Sequence, residues 1–145
     1  MLDHDVARQL IEAHWDRLGC RVRLPVDPAE FLGCEGLMQP IYSEKRRFPR
    51  YHYRTRAVMV HQGRLHTIYT KNISRSSLLI IHAEQLFPRE EVEAYLPNGR
   101  CCYLRIRRVR KIGPACFECG AEIRGSEDRL ASEENLKIAG TAGAV

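Results

Sequence analysis

Residues 91–110, EVEAYLPNGRCCYLRIRRVR, decide how the chain folds. Two strand-like runs, Glu91–Leu96 and Arg100–Arg110, flank Asn98-Gly99. That dipeptide is a strong hairpin signal, because a type I′ turn needs φ > 0 at both central residues. In the second run, Arg105, Arg107 and Arg110 mostly alternate with Leu104, Ile106 and Val109, the period of a strand with one buried face.

The pattern continues on both sides of this hairpin. Gly113-Pro114 turns the chain into a further strand, Cys116–Ile123, in which Phe117, Cys119, Ala121 and Ile123 share the buried face. Upstream, Leu78–Ile81 is a short apolar strand. Tyr51–Val60 ends at Gln62-Gly63 and takes Leu65–Lys71 as its hairpin partner. Six strands with short links predict a mainly β protein built as a small antiparallel barrel.

Residues from Asp3 to about Gly19 are predicted to form an amphipathic helix. Asp3 or Asp5 can cap it, and Leu10, Ile11, Trp15 and Leu18 recur at helical spacing. Trp15 is read as a packing anchor. Residues 20–43 carry Pro25, Pro28, Gly33, Gly36 and Pro40 and read mainly as a linker, with one helical turn opening at Asp27-Pro28. Ser126-Glu127-Asp128 suits the start of a helix, and 139–145 reads as a frayed tail. The predicted units are 1–43, 44–124 and 125–145.

Composition bounds the function. With 145 residues, 44% hydrophobic and 28% charged, the chain fits one globular domain with an N-terminal appendage. No apolar run approaches the roughly 18 residues that span a bilayer, and the acidic start has no export signal. A cytoplasmic protein with no membrane partner is expected. The net charge of +5 attracts anions without implying a nucleic-acid protein. The six cysteines are then read as thiols, and Cys116-Phe117-Glu118-Cys119 as strand rather than chelate, since residues three apart face opposite ways. The six histidines are scattered and none is read as a ligand. No nucleophile–base pair, carboxylate pair or metal cage can be placed from spacing, so neither an enzyme nor a cofactor is expected.

Two short pieces carry the binding chemistry. Lys45–Arg56 holds Lys45, Arg46, Arg47, Arg50, Arg54 and Arg56 with no acid between them. Arginine forks grip phosphate bidentately, match the O6/N7 edge of guanine and stack on bases. Tyr42, Phe48, Tyr51 and Tyr53 interleave and offer stacking surface. The second piece, Asn72-Ile73-Ser74-Arg75-Ser76-Ser77, supplies short polar groups that bond a base edge or hold a turn.

Arg46 and Arg50 fit RxxxR. Asn72, Ser74 and Ser77 fit [DN]xSxxG except at the last position. In that order, with a strand between them, the pieces resemble the PilZ domain of bacterial cyclic diguanylate (c-di-GMP) receptors. The resemblance spans roughly residues 44–123, and Gly120 resembles the glycine of the family's final strand. It implies a six-stranded barrel followed by a short helix, placed near 127–138. It also implies a c-di-GMP site at Arg46, Arg47, Arg50, Asn72, Ser74 and Ser77, with Ser77 standing where the family has glycine. If the glycine's geometry needs φ > 0, Ser77 is strained.

The expected function is a bacterial c-di-GMP receptor in which the arginine segment orders over the ligand. Residues 1–43 then shift, and an unidentified protein partner reads them. Either a monomer or a homodimer fits. A ligand-blind PilZ-like adaptor and a barrel binding single-stranded nucleic acid are the alternatives.

Overall fold

The computed structural model describes residues 3–13, 15–33, 40–41 and 49–128. Helix α1 (His4–Glu12) and the short α2 (Pro28–Leu32) precede seven strands. These are β1 (Pro40–Ile41), β2 (Arg50–His61), β3 (Arg64–Ser74), β4 (Ser77–His82), β5 (Glu91–Tyr95), β6 (Arg100–Gly113) and β7 (Cys116–Asp128). All neighbours are antiparallel in the order β1-β2-β3-β4-β7-β6-β5, and Val58–Val60 of β2 also pair with β5. That last pairing closes β2 to β7 into a six-stranded barrel, with β1 added at the start of β2 through Ile41↔Arg50. All six predicted strands are present.

The turns differ from expectation in one respect. Gln62 (φ 52) and Gly63 (φ 75) form the two-residue loop between His61 and Arg64, as a type I′ turn requires. At the other hairpin only Gly99 has positive φ, so the type I′ turn expected at Asn98-Gly99 is absent. Pro97 is the reason: its ring holds φ near −65°, which suits the first central position of a type I turn. The Gly99 N–H bonds the Leu96 carbonyl at 3.1 Å, and Asn98 Oδ1 accepts from the Arg100 N–H at 2.9 Å.

The sheet is buried on both faces along part of its length. Inside the barrel, Met59, Ile68, Leu78, Ile80, Leu86, Leu104, Ile106 and Cys119 form one apolar cluster. Outside it, Val58, Tyr69, Ile81, Tyr95, Cys101 and Cys116 pack against Ala7, Ile11, Trp15 and Phe31 of the N-terminal segment. Residues 20–33, read from sequence as linker, contribute Cys20, Val22, Leu24 and Leu32 to this second cluster.

Asp3 caps α1, with Oδ1 2.8 Å from the Asp5 N–H. The helix stops at Glu12, short of the predicted Gly19. Beyond it, Trp15 is buried and its Nε1–H donates to the Ala57 carbonyl at 3.2 Å. Docking this one indole on the barrel wall redirects the chain, so tertiary contact overrides helical spacing. Asp27 caps α2 as expected, accepting from the Ala29 N–H at 2.8 Å.

Cys116 and Cys119 lie in different clusters on opposite faces of β7, as strand alternation demands. Burial pushes the Cys101 thiol up to about 11 and that of Cys119 up to about 12. At the C-terminal end, Ser126, Glu127 and Asp128 are strand, paired with Cys102, Cys101 and Arg100, where a helix start was expected. The long β6 gives them ladder partners, which outweigh a favourable first turn. The rest of the helix expected near 127–138, and the tail, lie outside the described residues.

Candidate ligand groove

The second motif sits where β3 hands over to β4. Ser74 ends β3 and its Oγ accepts from the N–H groups of Ser76 (3.2 Å) and Ser77 (3.1 Å). It also lies 2.7 Å from Ser77 Oγ. Ser74 is buried beneath the turn, so its hydroxyl shapes the Arg75-Ser76 corner. Ser77 opens β4 opposite Glu122, and its φ is not positive. The strain considered for serine in place of glycine is therefore absent. Its hydroxyl has a partner instead, and the motif is altered without being distorted.

Arg50 starts β2, directly opposite Ser74, with Tyr51 opposite Ile73 and His52 opposite Asn72. The register thus joins the end of the RxxxR piece to the Asn72–Ser77 piece. Arg50, the last residue of the RxxxR piece, and the Asn72–Ser77 piece border one open groove of ≈ 1050 Å³ on the outer face of the sheet. Arg50, Asn72, Ser76 and Ser77 line one side, and Arg107, Arg108 and Arg110 of β6 line the other. Asn72 pairs with Leu79, Leu79 with Gly120, and Gly120 with Arg108. With no side chain, Gly120 leaves the middle of this row low. Asn72 Oδ1 is buried there without a hydrogen-bond partner among the described residues. Arg46 and Arg47 lie outside the described residues.

The arginines of β6 were read as an outer face and not as part of the site. A register shift between Ile106 and Arg108 leaves both Arg107 and Arg108 exposed and sets Arg108 and Arg110 on the same face. Only that bulge, invisible in the alternating pattern, brings them to the groove. Arg107 pairs with Glu122 at 3.0 Å. Arg110 pairs with Glu118 at 2.8 Å. Arg108 has no ion-pair partner among the described residues.

Glu118 is the most buried charge at the groove, with its side chain 7% exposed. Burial alone would raise its pKa. Hydrogen bonds and charge from Lys71 and Arg110 outweigh burial and hold the carboxyl below its usual value.

Two cations of the first piece go elsewhere. Arg54 stacks over Phe31 at 4.8 Å and Arg56 over Trp15 at 5.0 Å, both on the N-terminal segment. Tyr51 and Tyr53 pack against the barrel's interior cluster. Tyr42 and Phe48 lie outside the described residues.

No curated protein matches the chain. Among protein families, residues 44–135 match the PilZ domain. That match spans more than half of the 145 residues and contains both motifs, the closed barrel and the groove between β3, β4, β6 and β7. The chain belongs to the PilZ domain family, a family of binding and effector modules.

Proposed function

We propose that this protein is a c-di-GMP receptor module. Arg46, Arg47 and Arg50 would hold phosphates and guanine edges, with the Asn72–Ser77 turn on the same wall as Arg50. The observation that carries the reading is the Arg50↔Ser74 cross-strand pair beside Asn72 and Ser77, which sets the end of one motif beside the other. Asn72 Oδ1 and Arg108, both without a partner among the described residues, add an acceptor and a cation suited to a guanine and a phosphate. The groove's ≈ 1050 Å³ is at the upper end of the ~300–1,000 Å³ typical of small-molecule sites.

Signal transmission would run along β2. Its first residue meets the ligand, and two of its later arginines stack on Phe31 and Trp15. Ligand closing on Arg50 would shift those stacks and alter the N-terminal face that a protein partner reads.

Calorimetric titration with c-di-GMP tests this. Saturable binding is expected, weakened about ten-fold or more by Arg50→Ala, because a charged hydrogen bond to phosphate contributes on the order of 1.5–3 kcal/mol. Arg108→Ala should also weaken it, while GTP and a short oligonucleotide compete poorly. Full binding by Arg50→Ala would remove the motif from the site. No binding at all would favour a ligand-blind adaptor. That reading has its own support: Arg107 and Arg110 are already neutralised by Glu122 and Glu118, and Ser77 is tied to Ser74.

A further inference from the structure

Three neighbouring strands each bring a histidine to the end farthest from the motif residues Arg50, Asn72 and Ser77. His61 closes β2, His66 lies near the start of β3, and His82 closes β4. By strand alternation, His66 faces the same way as Ile68, and His82 the same way as Ile80, both interior residues. On β3, His66 is six residues from Asn72, about 20 Å at ~3.3 Å per residue.

The rings of His66 and His82 meet edge to face, with centroids 4.9 Å apart. Extending the Tyr69↔Ile81 register by three residues sets Glu84 opposite His66. One ligand atom from each of His66, His82 and Glu84 lies within 4.8 Å of the other two. His82 is 3% exposed, and neither of its ring nitrogens has a hydrogen-bond partner among the described residues. A buried imidazole with both nitrogens unsatisfied is costly, and such a group calls for a partner of its own.

We propose that His66, His82 and Glu84 form a binding site for a divalent transition metal of the zinc class. Two imidazole nitrogens and one carboxylate suit Zn²⁺, Co²⁺ or Ni²⁺, and leave a position for water. Mg²⁺ and Ca²⁺ prefer all-oxygen shells and are disfavoured. Metal–ligand bonds near 2.0–2.1 Å in a tetrahedron set donor atoms about 3.4 Å apart, so atoms now within 4.8 Å of one another must draw together by at most about 1.4 Å. Glu84 is exposed and His66 half-buried, which permits that movement.

The surroundings fit. Burial lowers the pKa of both imidazoles, that of His82 to about 4. Arg21 competes for Glu84, but that pair is 3.9 Å long with side chains 82% and 60% exposed, and it is weak. Arg64 and His61 are the other charged or titratable groups facing the cluster. His61 Nε2 is engaged at 2.9 Å with Glu90. The thiols of Cys101, Cys102, Cys116 and Cys119 are raised by burial, which makes them poor rivals for the metal.

Titration of the chelator-treated full chain with Co²⁺, followed by Zn²⁺ displacement, tests the site. One Co²⁺ per chain is expected, with visible bands of a four- or five-coordinate ion and no near-ultraviolet thiolate band. Zn²⁺ should displace it and raise the melting temperature. Glu84→Gln and His66→Gln should each weaken Co²⁺ binding by about ten-fold or more, since even outer groups cost that much. Glu84 is exposed, so Glu84→Gln tests the site in a folded protein even if His82→Leu does not fold. Absence of saturable binding overturns the proposal. So does unchanged affinity in both glutamine variants, or a spectrum dominated by thiolate bands. c-di-GMP titration reads the groove on the outer face of the sheet and is independent of these outcomes.

Discussion

The outer and inner faces of the barrel wall treat buried polar side chains in opposite ways. At the groove, Ser74 holds two backbone N–H groups and the Ser77 hydroxyl, and Glu118 holds Lys71 and Arg110. On the inner face, His82 is as buried as Glu118 and neither ring nitrogen has a partner among the described residues. Polar groups that complete one another stabilise the fold whether or not a ligand arrives. Polar groups left incomplete stabilise it only when something else binds. The groove rim is therefore built mainly by the protein itself, with Asn72 Oδ1 as its incomplete member, and the histidine cluster depends on an added partner.

The largest expected effect comes from breaking the completed side. Lys71→Met removes one of two cations from a nearly buried carboxylate, and should cost about 2 kcal/mol in urea unfolding at pH 7. The pH dependence sharpens this. Glu118 is held below its ordinary value of 4.5 in the folded protein, so its contribution is present above that pH. It is lost as pH falls through the depressed folded value. Lys71→Met should flatten that acid limb. An unchanged limb would mean that the Lys71 pair adds nothing to the groove's stability.

A smaller effect is expected at the turn. Ser77→Gly deletes the Ser74–Ser77 hydroxyl contact and loosens the first residue of β4, at about 1 kcal/mol in the same assay. If Ser77→Gly instead raises stability, the glycine of the family's motif has a backbone role that the serine here impairs.

The smallest effect is expected where the partners are missing. His82→Leu replaces an unsatisfied imidazole with an apolar group of similar size. Metal-free stability should rise or stay within about 0.5 kcal/mol of the parent. A loss near 2 kcal/mol would show that the ring is satisfied without metal, and the contrast between the two faces would fail.

Much of the fold was legible because alternation and turn residues are local signals. Leu104, Ile106, Cys119 and Ala121 were assigned to the interior from period alone, and all four are there. Asp27-Pro28 announced α2 through capping chemistry. The reading failed at α1, where a distant contact, the docking of Trp15, shortened the helix, and at Asn98-Gly99, where the neighbouring Pro97 sets a different turn.

The candidate site divides along the same line. Residue types and spacing determined that the chain carries an arginine segment and an Asx–Ser turn fit for an anionic guanine ligand, and that strands follow each. Only the tertiary structure decided that Arg50 faces Ser74 and that a bulge in β6 delivers Arg108 to the groove. It alone sent Arg54 and Arg56 to the N-terminal aromatics, and gathered His66, His82 and Glu84 at one end of the barrel. The reason is physical: side-chain period is a property of a few consecutive residues, whereas register, bulges and barrel closure join residues far apart in sequence, and no local pattern encodes which of them meet.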